Sequence, residues 1–323
     1  MKGKIVILAT GGTIAGVGNP GKALGYTPGA LSAGELLKTV PQLKDVAPIE
    51  TIQICNVNSD DITDSVWITL ANTVNTMAQD PDVRGFVITH GTDTLEETAY
   101  FLSLTVKTEK PVVITGSMRP STSISPDGSM NLYQSVCVAA SEEAVGYGVL
   151  VVFSDRIYSA RYVTKTGTYQ LMAISAGEMG AVGFVRDGKV YLLYGHPEKS
   201  RTAENSFDVS RITALPKVSV VYFSVDADPL LLQFAAEHSE GIVIAGAGAG
   251  EFSRVYQQII QKLTVPVIIS SRINNGVITK ENLLCENTVA AGNRSPQKAA
   301  VLLRLALTKS SDKGYLEQLF SEY

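Results

Sequence analysis

Apolar residues recur along the chain in two rhythms. Short, nearly continuous apolar runs occur at 5–9, 86–88, 112–114, 149–153, 218–223, 242–244 and 267–269. Runs with so little polar alternation predict parallel strands buried on both faces. Between them the period lengthens. Leu95, Ala99, Leu102 and Val106 recur at helical spacing, which predicts a helix with one apolar face. Thr94-Leu95-Glu96-Glu97 ahead of that run has the form of a capping box. Ser295-Pro296 supplies an N-cap and a proline in the first turn for a strongly apolar helix through Val301 and Leu305. Strands alternating with helices predict an α/β fold.

Two segments keep neither rhythm. Residues 194–216 are polar, hold Pro197, Pro216 and several Ser and Thr, and predict an interdomain linker. The expected organisation is therefore an N-terminal α/β domain at 1–193 and a C-terminal α/β domain at 217–323. Residues 17–34 contain Gly18, Gly21, Gly25, Gly29, Gly34, Pro20, Pro28 and Tyr26. A loop of that length is often functional, and its position after Thr13 suggests a lid.

Composition narrows the functions available. The chain has 323 residues, 45% of them hydrophobic, with a net charge of -4. That length suits about two domains at roughly 150 residues each. No run of Lys and Arg stands out, which argues against nucleic acid as a partner. No apolar run approaches the ~18 residues of a membrane span. The run at 5–9 is shorter than the ~7–15 residues of a signal-peptide core and reads as the first strand. Cys55, Cys137 and Cys285 are widely spaced, as are His90, His196 and His238. Neither set has the spacing of a metal site or a disulfide framework, so no metal and no cofactor are expected. Gly246, Gly248 and Gly250 miss the dinucleotide spacing, and Gly11-Gly12 lacks a following Gly-Lys-Ser or Gly-Lys-Thr.

The predicted strand ends share a chemistry of small and hydroxyl residues. Gly11-Gly12-Thr13 follows the first run, and His90-Gly91-Thr92-Asp93-Thr94 follows the second. Thr115-Gly116-Ser117 and Ala245-Gly246-Ala247-Gly248 follow later ones. Open α/β sheets bind ligands at this edge, and close-packed turns there offer amide donors for an oxyanion. A threonine hydroxyl is a poor nucleophile unassisted. Thr13 alone therefore reads as a turn residue, and Thr92-Asp93 alone as a helix start. Lys165 alone reads as a solvated cation.

Together these motifs resemble one family, the bacterial type II L-asparaginases. The resemblance is carried by 7–16, Val40-Pro41-Gln42-Leu43-Lys44-Asp45, and 89–102. Further on it is carried by Met118-Arg119-Pro120-Ser121-Thr122-Ser123, Val163-Thr164-Lys165-Thr166 and Pro296-Gln297-Lys298-Ala299. It implies a large N-terminal domain with a mostly parallel sheet and a smaller, flavodoxin-like C-terminal α/β domain. It implies hydrolysis of L-asparagine to L-aspartate and ammonia through an acyl-enzyme, with weaker action on L-glutamine and no cofactor. It also implies a homotetramer of close dimers, with active sites between subunits. Thr13 would be the nucleophile and Tyr26 its partner on the lid. Thr92, Asp93 and Lys165 would form a second group. Ser59 and Asp93 would hold the substrate's α-carboxylate and α-amino groups, and amides near Thr92 and Ser117 the oxyanion.

The chain departs from the family pattern at the amino end of the substrate. Asp60 stands where the family usually has Gln or Glu. Ala249 and Glu251 stand in the family's glycine-asparagine segment. The following acidic segment is shorter, which makes Glu281 the expected carboxylate partner of the lid tyrosine, with Glu286 second. Thr108 replaces one cysteine of a pair bridged in exported relatives. The subtype implies a periplasmic location, and a chain without a leader a cytoplasmic one. Two other readings compete: a catalytically weak amino-acid-binding relative, and a hydrolase of a different amide.

Overall fold

A computed structural model of the protein describes residues 3–22, 24–194 and 207–323. It divides into two compact units, Met1–Thr213 and Ala214–Tyr323. Of the expected linker 194–216, residues 195–206 lie outside the described residues. Phe207 and Val209 are buried, and the Phe207 amide donates to the Leu104 carbonyl at 2.8 Å. These apolar residues therefore pack with the first unit.

The first unit is built on an eight-stranded sheet. Its strands are β1 (Lys4–Gly11), β2 (Ile49–Val57), β3 (Val83–Thr89), β4 (Val112–Thr115), β5 (Val149–Phe153), β6 (Arg156–Ser159), β9 (Gly183–Arg186) and β10 (Lys189–Leu192). β7 (Thr164–Lys165) and β8 (Ile174–Ser175) form a separate antiparallel pair. The order across the sheet is β10-β9-β6-β5-β4-β3-β1-β2. β2, β1, β3, β4 and β5 run parallel, and β6, β9 and β10 extend the sheet antiparallel. The central strands match their apolar runs and are buried on both faces. β2 has no such run. It is an edge strand, half-buried along most of its length, and partners on one side only can stabilise it without an apolar signature.

Helices α1 (Ala33–Lys38), α2 (Leu43–Val46) and α5 (Gly128–Ala140) close one face of the sheet. Leu36, Leu43, Leu132 and Val136 pack there with Ile5, Ile7, Val87 and Val113. α3 (Asp64–Met77) and α4 (Leu95–Thr105) pack together, against β2 and against β4 and β5 respectively. Tyr100 and Phe101 on α4 are fully buried, each contributing about 2 kcal/mol by removal from water.

The second unit is an open parallel sheet of β11 (Val218–Tyr222), β12 (Gly241–Gly246), β13 (Val267–Ser271) and β14 (Thr288–Ala290). α6 (Pro229–His238) and α7 (Arg254–Ile260) contribute Leu232, Ala235, Tyr256 and Ile260 to its core. α8 (Pro296–Leu307) packs on β11, β12 and β13, and α9 (Lys313–Glu322) on β14 and α8. Ser295 caps α8 as expected, its hydroxyl accepting the Lys298 amide, with Pro296 in the first turn. The small sheet is flavodoxin-like in being open, parallel and helix-covered, but its strands follow chain order. The reversal of order that marks a flavodoxin sheet lies in the first unit, at β2-β1-β3-β4-β5.

Candidate active site

That reversal puts a crevice at the carboxyl ends of β1 and β3, because the chain leaves the two strands in opposite directions. Both threonine turns sit there. β1 and β3 are in register, Ala9 against Thr89, so the residues that follow emerge side by side. Gly11 and Gly12 make the approach possible. Both have positive φ, +103° and +78°. A Cβ on Gly12 would stand 2.4 Å from the Gly91 amide nitrogen, and one on Gly11 would stand 2.5 Å from the Val57 carbonyl oxygen. Side chains at either position would push the β1 turn off its neighbours.

Thr13 begins a short 3-10 turn, Thr13–Ala15, and is buried. Its Oγ1 lies 2.7 Å from the Tyr26 hydroxyl. Tyr26 comes from the 17–34 loop, which folds back on itself. Val17 and Thr27 exchange both backbone hydrogen bonds, at 3.1 and 2.8 Å. The loop's return is tied down where the Gly29 amide donates to the Gly12 carbonyl at 3.0 Å.

Thr92 is also buried, and Lys165 Nζ donates to its Oγ1 at 2.9 Å. The same ammonium forms an ion pair with the Asp93 carboxylate. Lys165 reaches this position from β7, where its amide donates to Glu96 Oε2 at 2.7 Å. Glu96 is a buried carboxylate on α4. The sequence placed it only within the capping-box motif, and its work is to hold the Lys165 amide.

The capping-box reading of Thr94 is also corrected. Thr94 is the N-cap of α4, yet its side chain makes no capping bond. Its hydroxyl donates instead to the Ser59 carbonyl at 2.7 Å. The hydroxyl is there a second donor to a carbonyl that also accepts the Ile62 amide at 3.3 Å, and it ties the start of α4 to the turn after β2. Ser59 itself, 2% exposed, opens the 3-10 turn Ser59–Asp61, and its Oγ accepts the Asp93 amide at 3.2 Å. Having accepted that amide, the Ser59 hydroxyl keeps its own proton to donate. Asp60, next in the turn, is exposed.

Ser117 follows β4 and is fully buried, its hydroxyl donating to the Arg119 carbonyl at 2.9 Å. Asp127 shapes this turn. Its carboxylate accepts the amides of Met118 and Arg119 at 2.9 and 3.0 Å. Asn131 Nδ2 donates to the Gly116 carbonyl at 2.9 Å. Neither residue was singled out from sequence, since an Asp and an Asn near a helix start are ordinary.

His90 underlies the Thr92 turn. It is fully buried, with Nδ1 2.7 Å from the Gly91 carbonyl oxygen and Nε2 2.9 Å from Thr98 Oγ1. Trp67 Nε1 donates to the same Thr98 oxygen at 2.7 Å. A carbonyl only accepts, so Nδ1 carries the proton. Nε2 then accepts from Thr98, whose oxygen accepts from Trp67. This chain needs a neutral ring, and burial lowers the His90 pKa from 6.5 to about 4.

Thr13, Tyr26, Ser59, Asp60, Thr92, Asp93, Ser117 and Lys165 all belong to the first unit. Glu251 and Glu281 belong to the second. Glu251 is exposed and pairs its backbone with Ala247 at 2.7 and 2.8 Å. Glu281 is exposed on the 3-10 turn Lys280–Asn282, and hydrogen bonding from Thr279 holds its carboxyl below the usual range. A cavity of about 280 Å³ in this unit is lined by Gly248, Ala249, Ser271 and Arg294 among others, with neither glutamate at its wall.

Two buried threonine hydroxyls at a switch point, one on a tyrosine and one on a lysine–aspartate pair, are the arrangement expected of an amidohydrolase of the asparaginase kind. Residues 4–198 match the family model "Asparaginase, N-terminal", and residues 217–320 match "Glutaminase/Asparaginase C-terminal domain". The chain belongs to the asparaginase/glutaminase family. It is 43% identical to L-asparaginase 2 of Escherichia coli over 99% of this chain and 93% of that protein. It is 39% identical to a glutaminase-asparaginase of Acinetobacter glutaminasificans over the whole of both chains. Among solved structures it is similar to a probable cytoplasmic L-asparaginase from Campylobacter jejuni. There the TM-score is 0.94, with 41% identity and full coverage of both chains.

Proposed function

We propose that the protein hydrolyses L-asparagine to L-aspartate and ammonia, with weaker action on L-glutamine. The observation that carries this is the 2.7 Å contact between Thr13 Oγ1 and the Tyr26 hydroxyl at the carboxyl edge of β1. Thr13 attacks the side-chain amide carbon, and its proton passes to the Tyr26 oxygen as the Tyr26 hydroxyl gives its own proton to the leaving nitrogen. The negative oxygen that forms is met by the amides of Thr92 and Ser117, dipoles fixed before the reaction begins. Ammonia leaves, and an acyl ester on Thr13 remains. Water then attacks that ester, releasing aspartate and restoring the hydroxyl.

Selectivity for a small amino acid follows from the surrounding charges. Asp93 faces the substrate's ammonium, and the Ser59 proton is donated to its α-carboxylate. Lys165 orients Asp93 and polarises the Thr92 hydroxyl. Relatives named glutaminase-asparaginase support a pocket that also admits the longer amide.

The reading extends to assembly. Close dimers of a homotetramer would bring Glu251 and Glu281 of one copy to the other copy's pocket. Light scattering after gel filtration tests this. A monomeric protein with full activity would sink the shared site.

The central test is ammonia release by the purified protein across a panel of amides. L-Asparagine should be the preferred substrate, and Thr13→Ala should lower turnover by about a thousandfold or more. Preferential turnover of a D-amide or an N-substituted amide would overturn the substrate assignment. Aspartate binding without any turnover would make the protein an amino-acid-binding relative.

A further inference from the structure

The ascending half of the 17–34 loop is tied to two residues. The Gly16 carbonyl accepts from the Ser121 amide at 3.2 Å and from the Ser121 hydroxyl at 2.8 Å. The Gly18 amide donates to Thr122 Oγ1 at 3.0 Å. The Gly21 amide donates to the Thr122 carbonyl at 2.8 Å. Four hydrogen bonds from Gly16, Gly18 and Gly21 thus end on Ser121 and Thr122.

The same stretch seats Tyr26. A Cβ on Gly16 would stand 2.8 Å from Tyr26 Cδ2, and one on Gly18 would stand 2.7 Å from Tyr26 Cβ. The tyrosine therefore lies directly against backbone that lacks side chains, and its height over Thr13 is set by where residues 16–18 run. Those residues run where Ser121 and Thr122 hold them.

Ser121 and Thr122 are themselves anchored. Asp127, at the start of α5, accepts the amides of Met118 and Arg119. The Ser123 hydroxyl donates to the Pro120 carbonyl at 2.9 Å, and Arg119 Nη1 to the Ser125 carbonyl at 3.0 Å. A turn fixed to a helix of the sheet thus carries the loop.

We propose that Ser121 and Thr122 form a latch that holds the loop closed, and that they act as positioning residues for Tyr26 over Thr13. The inference rests on the functional reading above. It assigns loop closure to contacts outside the substrate pocket. Thr122 senses the loop through one hydroxyl and one carbonyl, so a single side-chain change weakens closure without touching Thr13, Thr92 or Lys165.

Trypsin reads closure independently of catalysis. Lys22 is the only Lys or Arg between 17 and 34 and is exposed, and a protease must draw the loop off its platform to cut after it. The native protein should be cut slowly there, followed by the mass of the released fragment. Thr122→Val keeps the shape and removes the acceptor for Gly18. It should raise the cutting rate about fivefold, the effect of one ordinary hydrogen bond. Ser121→Ala with Thr122→Val should raise it roughly twentyfold, and Thr122→Ser should restore the native rate.

Ammonia release from asparagine should fall by more than about threefold in kcat/KM, through the looser seat of Tyr26 and not through the closed fraction, which stays near one, with the thermal midpoint unchanged. In a Tyr26→Phe background, Thr122→Val should change kcat/KM by less than about twofold, because the group it positions is gone. Unchanged cutting at Lys22 in the double variant would overturn the latch. Equal losses of kcat/KM with and without the Tyr26 hydroxyl would overturn its role in positioning Tyr26. Should the native protein release no ammonia from asparagine, the functional reading falls, while the cutting rates still decide the latch.

Discussion

The β1 turn of the first unit and the β12 turn of the second start from similar material and end differently. Each is a glycine-rich stretch at the carboxyl end of a parallel strand. Gly11-Gly12-Thr13 is wedged between the turns after β2 and β3, and its hydroxyl is buried against Tyr26. Gly248 has φ of +50°, but a Cβ there would meet nothing within 4 Å. Strand order explains the difference. The large sheet reverses its order at β1 and crowds the ends of β1, β2 and β3 around one point, while the small sheet runs in chain order and its β12 turn meets the β13 end, where the Ser271 hydroxyl donates to the Gly248 carbonyl at 2.6 Å. Glycine in the first case serves close approach. At Gly248 it serves only a turn, although Gly246 and Gly250 on either side are closely packed, Gly250 against Ile269.

The comparison can be broken by substitution. The largest expected effect is on rate. Lys165→Met should lower asparagine turnover by about a hundredfold to ten-thousandfold, the range for losing a group that moves or polarises a proton. Ser295→Ala in the second unit should leave turnover intact, and a comparable loss there would contradict the division of labour. Next comes stability. Gly12→Ala should cost roughly 3 kcal/mol or more, since its backbone is strained for any side chain and the new Cβ meets backbone. Gly248→Ala should cost only about 1 kcal/mol, for the left-handed φ alone. Urea unfolding of both variants measures the contrast, and equal costs would refute the crowding argument.

A third test uses pH. His90 titrates near 4 in the folded protein and at 6.5 ordinarily. The unfolded chain therefore takes the proton first. Stability is intact above pH 6.5 and is lost as pH falls through 4, by roughly 3 kcal/mol at about 1.4 kcal/mol per unit. Urea midpoints from pH 7 to 4 should show the fall, and His90→Gln should remove most of it. A slope unchanged in that variant would mean that other groups govern acid unfolding. An effect as small as that of Gly248→Ala is expected at Ser295→Ala, which should lower stability by about 1 kcal/mol through loss of the α8 cap.

Much of the site could be read from residue order. Thr13 and Thr92 stood at the ends of apolar runs, where each alone read as structural, and the family motifs singled them out together with Lys165. What could not be read was the use of hydroxyls and carboxylates across the chain. Thr94 had the form of a cap, yet its hydroxyl serves the Ser59 carbonyl. Glu96 sits in a helical pattern, yet it fastens a strand 69 residues away in sequence. Asp127 and Asn131 shape the Ser117 turn from α5. Each choice depends on which backbone donor or acceptor lies nearby, and spacing along one segment carries no record of that.

The sequence by itself determined the α/β class, the positions of the buried parallel strands, and the small and hydroxyl residues at their ends. These follow from local composition and period, because a strand buried on both faces must be apolar throughout. The tertiary structure alone decided that β1 sits between β2 and β3, and so which strand ends would meet. It also decided that Ser121 and Thr122 would hold the loop that carries Tyr26. The physical reason is that both outcomes rest on contacts between segments far apart in the chain, where backbone donors and acceptors find partners only after the sheet has closed.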